Sequence, residues 1–365
     1  MSAIGLGTEY LLGLPREHVV GVIRRAIEQG VSYFDLFWPH PEFRDTMGMA
    51  FAGRRRDVML AAHLGSVMLD GQPGISRDPS TCLEYFHDFL RRYRTDYVDV
   101  LFLFNSNTRE DYDRLVGPGG LLEIAQRLKQ QGAARSIGFG GHNAQSARQA
   151  VESGFFDVLI FPVNLTCRTV PGNRELHEAC SRHQVGLVAM KPYAGGHLLG
   201  ETQSVSIEDF QMGRTQMSGA PTRFEKRHPI TPVQCLSYAL SQPGVSTVIP
   251  GCKDLDQLAS ALAWLSATEP ERDFSRLLPD FDHYPVGQCV YCNHCLPCPA
   301  RIDIGKTLSL LDKAQEGLTQ ELRAAFAALP MQPSECLECG DCTERCPFGV
   351  DVVPQMRSVV QLLSR

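Results

Sequence analysis

The stretch that decides the fold begins VMLAAHL (58–64), continues through a segment opened by Asp78-Pro79 that sets Leu83, Phe86 and Leu90 on one helical face, and ends YVDVLFLF (97–104). Two short apolar runs around a capped, helix-periodic segment read as one strand–helix–strand unit. The same alternation runs outward in both directions, through IGLG (4–7) and YFDL (33–36) on one side and ARSIGFG (134–140), VLIFPVN (158–164), VGLVAMKPY (185–193) and VSTVIPG (245–251) on the other. Val19, Ile23, Ala26 and Ile27 share a helical face closed by Gly30, and Thr231-Pro232 opens a helix carrying Val233, Leu236 and Leu240. Strands that are each followed by a helix, eight times over, predict an α/β fold of the (β/α)8 TIM-barrel type. A doubly wound sheet competes with it, but no G-x-G-x-x-G turn follows the first strand.

Beyond the barrel the chain changes character. CVYCNHCLPCP sets Cys289, Cys292, Cys295 and Cys298 close together, and CLECGDCTERCP does the same for Cys336, Cys339, Cys342 and Cys346. The second run has the C-x2-C-x2-C-x3-C-P spacing by which bacterial-type ferredoxins hold 4Fe–4S clusters, with the fourth cysteine crossing to the other cluster. That rule assigns Cys289, Cys292, Cys295 and Cys346 to one cluster and Cys336, Cys339, Cys342 and Cys298 to the second. The first run is one residue shorter before its last cysteine. Zinc ribbons and disulfides are the alternatives. Four cysteines in each segment are too many for a zinc ribbon, and disulfides suit short secreted chains. The expected organisation is therefore a barrel over residues 1–277 and, over 278–365, a small bacterial-ferredoxin-like two-cluster domain with flanking helices. The segment between the cysteine runs and the final VVPQMRSVVQLLSR are both helical by periodicity.

The chain has 365 residues, a formal net charge of -6 and 13 cysteines. Its length suits two domains, and the charge, without a dense basic run, argues against nucleic acid as a partner. GRRRD (53–57) reads as a solvated turn between a helix and a strand. No apolar run reaches membrane-spanning length, and MSAIGLGTEYL enters a strand without a charged-then-apolar leader, so a soluble protein is expected. Cysteines at cluster spacing imply a reducing cytoplasm. Cys82, Cys167, Cys180, Cys235 and Cys252 fall within helix and strand patterns and read as small core residues.

Barrel chemistry lies at strand C-termini, which points to Asp35, His63, Asn105, His142, Asn164 and Lys191. Residues 194 to about 229 form a Gly/Ser/Gln-rich connection far longer than usual, expected to be a lid. His197 stands at its start.

GLGT at the start, GVSYFD ending in Asp35, TDYVDVLFL, PGGLLE, QGAARSIGFGGHN, VAMKPYAGG, VIPG and both cysteine runs together resemble the aldo/keto reductases that carry a C-terminal ferredoxin-like 4Fe–4S domain. The resemblance implies a carbonyl-reducing site built from Asp, Tyr, Lys and His. Asp35 matches the aspartate. His40 stands in the tyrosine's place, His63 in the lysine's, and Phe104, followed by Asn105, in the histidine's. The resemblance also implies NAD(P)H. The positions that would hold its 2′-phosphate and adenine are Gln257 and Ala261, with Lys253 nearby, and a Gln cannot replace an Arg fork.

Asp35, His40 and His63 are accordingly the expected catalytic group, with His40 as proton donor and Asp35 orienting or charging His63. Trp38, Phe104, Asn105 and His142 are the expected substrate contacts, and Asn164, Lys191 and Lys253 the cofactor contacts. Two His and one carboxylate also match a facial iron site, and Lys191 could form a Schiff base if burial depressed its pKa. Three functions remain open on these grounds. The first is an iron–sulfur oxidoreductase, fed by a ferredoxin- or flavodoxin-type donor, acting on a small substrate. The second is an NAD(P)H-dependent carbonyl reductase using His40. The third is a non-catalytic electron-transfer or Fe–S sensing protein.

Overall fold

The structure is a computed structural model that describes residues 1–200, 229–281, 287, 289, 295–314, 317–346 and 348–363. It divides into two compact units, one of Met1–Val67, Ile75–Tyr193 and Lys226–Tyr284, the other of Met68–Gly74, Ala194–Glu225 and Pro285–Arg365.

The first unit is an eight-stranded parallel barrel. Its strands are β1 (Leu6–Gly7), β2 (Tyr33–Leu36), β3 (Met59–Leu64), β6 (Val98–Leu103), β7 (Ala134–Gly140), β8 (Val158–Pro162), β9 (Gly186–Met190) and β10 (Val245–Ile249), paired in that order. The sheet closes on itself where Gly5 N–H donates to the Val248 carbonyl (2.8 Å) and Gly7 N–H to that of Pro250 (3.0 Å). Each strand is read correctly from its apolar run to within a few residues. β4 (Ser66–Leu69) and β5 (Gln72–Ile75) make a separate hairpin after β3 that the sequence reading missed.

Period-two alternation sends every second side chain into the barrel. Tyr33, Ala61, Val100, Phe102, Ile160, Val188 and Ile249 form that interior layer. Phe102 is accommodated because Gly138 faces it; a Cβ there would sit 2.3 Å from the Phe102 ring. The predicted faces hold in full for the first outer helix and in part for two others, where Leu83, Leu90, Val233 and Leu240 are only half-buried. Helix Arg16–Glu28 buries Val19, Ile23, Ala26 and Ile27, and Gly30 follows it with φ +87°. Helix Pro79–Tyr93 starts on an Asp78 cap, and its buried stripe is Cys82, Phe86, Phe89 and Tyr93.

Helix Pro41–Ala50 approaches the end of helix Pro79–Tyr93 so closely that a Cβ on Gly48 would lie 2.1 Å from the Arg92 carbonyl oxygen. Gly48→Ala is therefore expected to destabilise the fold by about 1–3 kcal/mol, as overpacking does. A urea midpoint equal to wild type would contradict this.

GRRRD is not merely a solvated turn. Arg54 pairs with Asp57 at the surface, but Arg55 turns inward. Its guanidinium donates to the Val58 and Tyr97 carbonyls and to Asp99 Oδ2 (2.8 Å). Asp99 also accepts from Leu60 N–H and from Arg135 Nη1 (2.9 Å each). Both guanidiniums lie against the Tyr97 ring, at 3.9 and 4.1 Å from its centroid. Composition showed three arginines; the partners that bury one of them come from about 40 residues downstream.

In the second unit, Ile304–Ala314 and Gln320–Ala327 are two helices where periodicity predicted one. Gly317 interrupts them at φ +133°, and Thr319 caps the second. Helix Val352–Leu363 closes the chain as expected. Most of the expected lid, residues 201–228, lies outside the described residues. Among the described residues no helix is long and apolar enough to cross a membrane.

Candidate functional site

Asp35 continues the inward row of Tyr33, and His63 that of Met59 and Ala61, so both end on the inner side of adjacent strands at the C-terminal rim. β2 and β3 pair with Asp35 opposite Ala61. That offset brings His63 Nε2 within 2.7 Å of Asp35 Oδ1, with side chains only 4% and 7% exposed. The Asp35 carbonyl is held separately by the Thr8 hydroxyl (2.7 Å). Three rings surround the imidazole: Phe102 at 5.1 Å, Phe104 edge-on at 5.4 Å and Phe37 at 6.0 Å. Phe37 in turn packs on Trp38 at 4.1 Å. Among the described residues the buried His63 Nδ1 has no hydrogen-bond partner.

This arrangement has definite proton chemistry. With Nε2–H donated to the carboxylate, a neutral His63 presents a bare lone pair at Nδ1. The imidazolium, charge-balanced by Asp35, presents an Nδ1–H donor instead. A buried polar atom left unsatisfied calls for an explanation, and proton transfer at that atom is one.

His40 stands at the N-terminus of helix Pro41–Ala50 without a side-chain capping bond, and burial pushes its imidazole below the ordinary range. Glu42 raises it and Arg92 lowers it further. Among the described residues no group of three His, Cys, Asp or Glu gathers closely enough to hold a single metal ion.

The other rim residues mostly serve the loops. Asn105 adopts φ +50° and is buried; its Oδ1 accepts from Asn107 Nδ2 (2.7 Å), and Asn107 Oδ1 accepts from the His142 N–H (2.6 Å). Arg77 grips Asp111 through two bonds (2.8 and 2.6 Å) and donates to the Asn105 carbonyl (3.1 Å). Sequence reasoning found Asn105 and His142 but missed Arg77 and Asn107, which tie their loops together. Asn164 donates to the Lys191 carbonyl (2.8 Å) and accepts from the Thr166 hydroxyl and Cys167 N–H. Lys191 itself sits at φ +56°. The Lys253 N–H donates to Gln257 Oε1 (3.0 Å), so the Gln257 side chain serves as a local cap.

In the second unit, Cys298, Cys336, Cys339 and Cys342 line one pocket together with Cys295. Burial pushes the Cys342 thiol up to about 11, and Cys298, Cys336 and Cys339 oppose its ionisation further. Burial likewise raises Cys298, with Cys336 and Cys339 adding to it. Thiols crowded in this way ionise together only against cationic metal, so the donor set fits an iron–sulfur cluster, whose cubane spreads its ligands more widely than one ion does. Cys289 and Cys295 are buried beside Ile302, Ile304, Val350 and Met356, with Cys346 packed on the same cluster. Cys292 lies outside the described residues. The scattered cysteines Cys82, Cys180, Cys235 and Cys252 are buried, as expected of core residues.

Comparison with known proteins agrees with this architecture. The "Aldo/keto reductase family" model matches residues 3–277, and the "4Fe-4S dicluster domain" model matches residues 285–350. The chain is 26% identical over 270 residues to the uncharacterized oxidoreductase YqkF of Bacillus subtilis, covering 71% of this chain and 85% of that one. Among solved structures, aldo-keto reductase AKR11C1 from Bacillus halodurans superposes with a TM-score of 0.61 at 21% identity, over 78% of this chain and 93% of that one. An aldo-keto reductase from Klebsiella pneumoniae, solved with NADPH, gives 0.54 at 18% identity over 78% and 92%. At such identities the solved structures speak for the fold alone, but the family match spans most of the sequence: this chain belongs to the aldo/keto reductase family and carries a 4Fe-4S dicluster domain behind its barrel.

Proposed function

We propose that the protein is an iron–sulfur oxidoreductase in which Asp35 and His63 exchange a proton with a small, partly apolar substrate at the barrel mouth. The observation carrying this reading is the buried 2.7 Å Asp35–His63 pair, with Nδ1 of His63 unpartnered among the described residues. When bound, 4Fe–4S clusters supply single electrons. Reduction of one carbonyl takes two electrons and two protons. The electrons derive from a ferredoxin- or flavodoxin-type donor, one proton leaves Nδ1 of the His63 imidazolium, and the second comes from solvent. Asp35 orients the ring and balances its charge, while Phe37, Phe104 and Trp38 exclude water. The barrel of residues 1–277 then houses the substrate and residues 278–365 the two clusters, in a reducing cytoplasm.

The NADPH-bound Klebsiella relative favours a second reading, hydride transfer from NAD(P)H with His40 as proton donor. Against it, Gln257 and Ala261 offer no cation for a 2′-phosphate, and the Gln257 amide already caps Lys253. An anaerobic titration with NADPH and NADH, followed by small aldehydes and ketones, separates the readings. Dithionite-reduced clusters that are reoxidised on adding a carbonyl, without nicotinamide binding, support the first. Nicotinamide oxidation with the cluster absorbance unchanged sinks it in favour of the second. No turnover with any substrate, and no effect of changing Asp35 and His63, leaves the non-catalytic carrier.

The ligand assignment has its own check. Cys342→Ser is expected to cut bound iron and acid-labile sulfide by about half, because one of two clusters loses a ligand. Unchanged iron by elemental analysis would refute its role.

A further inference from the structure

The hairpin β4–β5 turns at Asp70-Gly71, whose φ angles of +52° and +77° suit a tight two-residue hairpin turn. Its tip, Met68–Gly74, belongs to the second unit although it lies more than two hundred residues before the first cysteine run. Gln72 in this tip is buried, at 5% exposure. Its amide is engaged at both ends by a single residue: Nε2 donates to the Cys298 carbonyl and Oε1 accepts from the Cys298 N–H, each at 3.3 Å. Cys298 is the cysteine that spacing sends across to the cluster of Cys336, Cys339 and Cys342. The same segment is held from another direction by Arg345, which donates to the Cys295 and Pro297 carbonyls (3.3 and 2.6 Å) and pairs with Asp341.

We propose that Gln72 is a positioning residue for an iron–sulfur cluster, fixing the backbone of its crossing ligand Cys298 so that the thiolate meets iron without a conformational search. A glutamine side chain can satisfy a backbone N–H and C=O at once, as a neighbouring strand would, and no hydrophobic residue can do so. Outer partners of metal ligands govern how firmly the metal is kept. Arg345 fixes the preceding residues, and Gln72 fixes Cys298 itself. This inference rests on the reading of Cys298 as a cluster ligand, and the test treats the two separately.

Reduced wild-type protein and Cys298→Ser are first compared by electron paramagnetic resonance. If Cys298→Ser retains both cluster signals, the ligand reading fails whatever Gln72 does. If one signal is lost, Gln72→Leu and Gln72→Glu are examined for that same signal and for iron release to 2,2′-bipyridyl. Gln72→Leu is expected to release iron from the Cys298-dependent cluster about tenfold faster, the effect of losing one or two ordinary hydrogen bonds, and to shift that cluster's spectrum while the other stays unchanged. Gln72→Glu keeps the acceptor for the N–H but loses the donor to the carbonyl, so it should fall between. Wild-type release rates and spectra in Gln72→Leu would overturn the proposal; if that variant does not fold, wild-type behaviour in Gln72→Glu overturns it instead.

Discussion

Asp35→Asn should reduce turnover by roughly two to four orders of magnitude, the usual worth of a positioned proton-transfer group. The carboxylate accepts from His63 Nε2 at 2.7 Å and fixes which ring nitrogen faces away from it. An Asn amide in its place can donate to Nε2, which then carries the lone pair and leaves the proton on Nδ1, and it brings no charge to stabilise the imidazolium. His63→Gln should be at least as damaging, since it removes the proton carrier. The two losses should be strongly non-additive, because each variant disables the same unit. The measurement is the rate of carbonyl-stimulated reoxidation of reduced clusters, with iron content checked alongside. Full activity in both variants would end the proton-transfer role.

The second large effect is on stability. Asp99 has a side chain only 2% exposed and accepts from two guanidiniums and one backbone N–H. In Asp99→Ala, Arg55, itself 17% exposed, keeps its charge but loses its counter-ion, and the Leu60 N–H loses its acceptor. Removing one partner of a buried pair typically costs 3–5 kcal/mol. Equilibrium urea unfolding should show a loss of about that size, provided the barrel unit unfolds in a resolvable transition. A loss under about 1 kcal/mol, the value of an exposed pair, would mean that solvent reaches this network. Asp99 lies at the start of β6 and Asp35 near the end of β2, so the first change should act on folding and the second on turnover.

How much of this was legible beforehand follows from what a one-dimensional pattern records. The barrel strands stand out because β-branched and apolar runs punctuated by turns carry their own period; the run 134–140 coincides with strand Ala134–Gly140. The cysteine spacing likewise announced its chemistry. What periodicity could not see was where a side chain's partner comes from. Arg55 looked solvated because Tyr97 and Asp99 are distant in sequence. The helix between the cysteine runs looked continuous because apolar spacing is blind to the positive φ of Gly317. The hairpin holding Gln72 has too short an apolar alternation to stand out, although Asp70-Gly71 is a strong turn signal. For the candidate site, the sequence groups Asp35, His40 and His63. Strand register sets His63 against Asp35, and apolar spacing does not record that.

That register has a consequence for how such a sequence changes over generations. Because Asp35 and His63 are inward only by alternation, deleting one residue within Tyr33–Leu36 would turn Asp35 toward the helices and bring its neighbours inward. A lineage can exchange the rim side chains one codon at a time, but it cannot change strand length by one and keep the pair. Insertions and deletions among descendants should therefore gather in turns such as 29–32, between helix Arg16–Glu28 and β2, while the strands themselves vary by substitution alone.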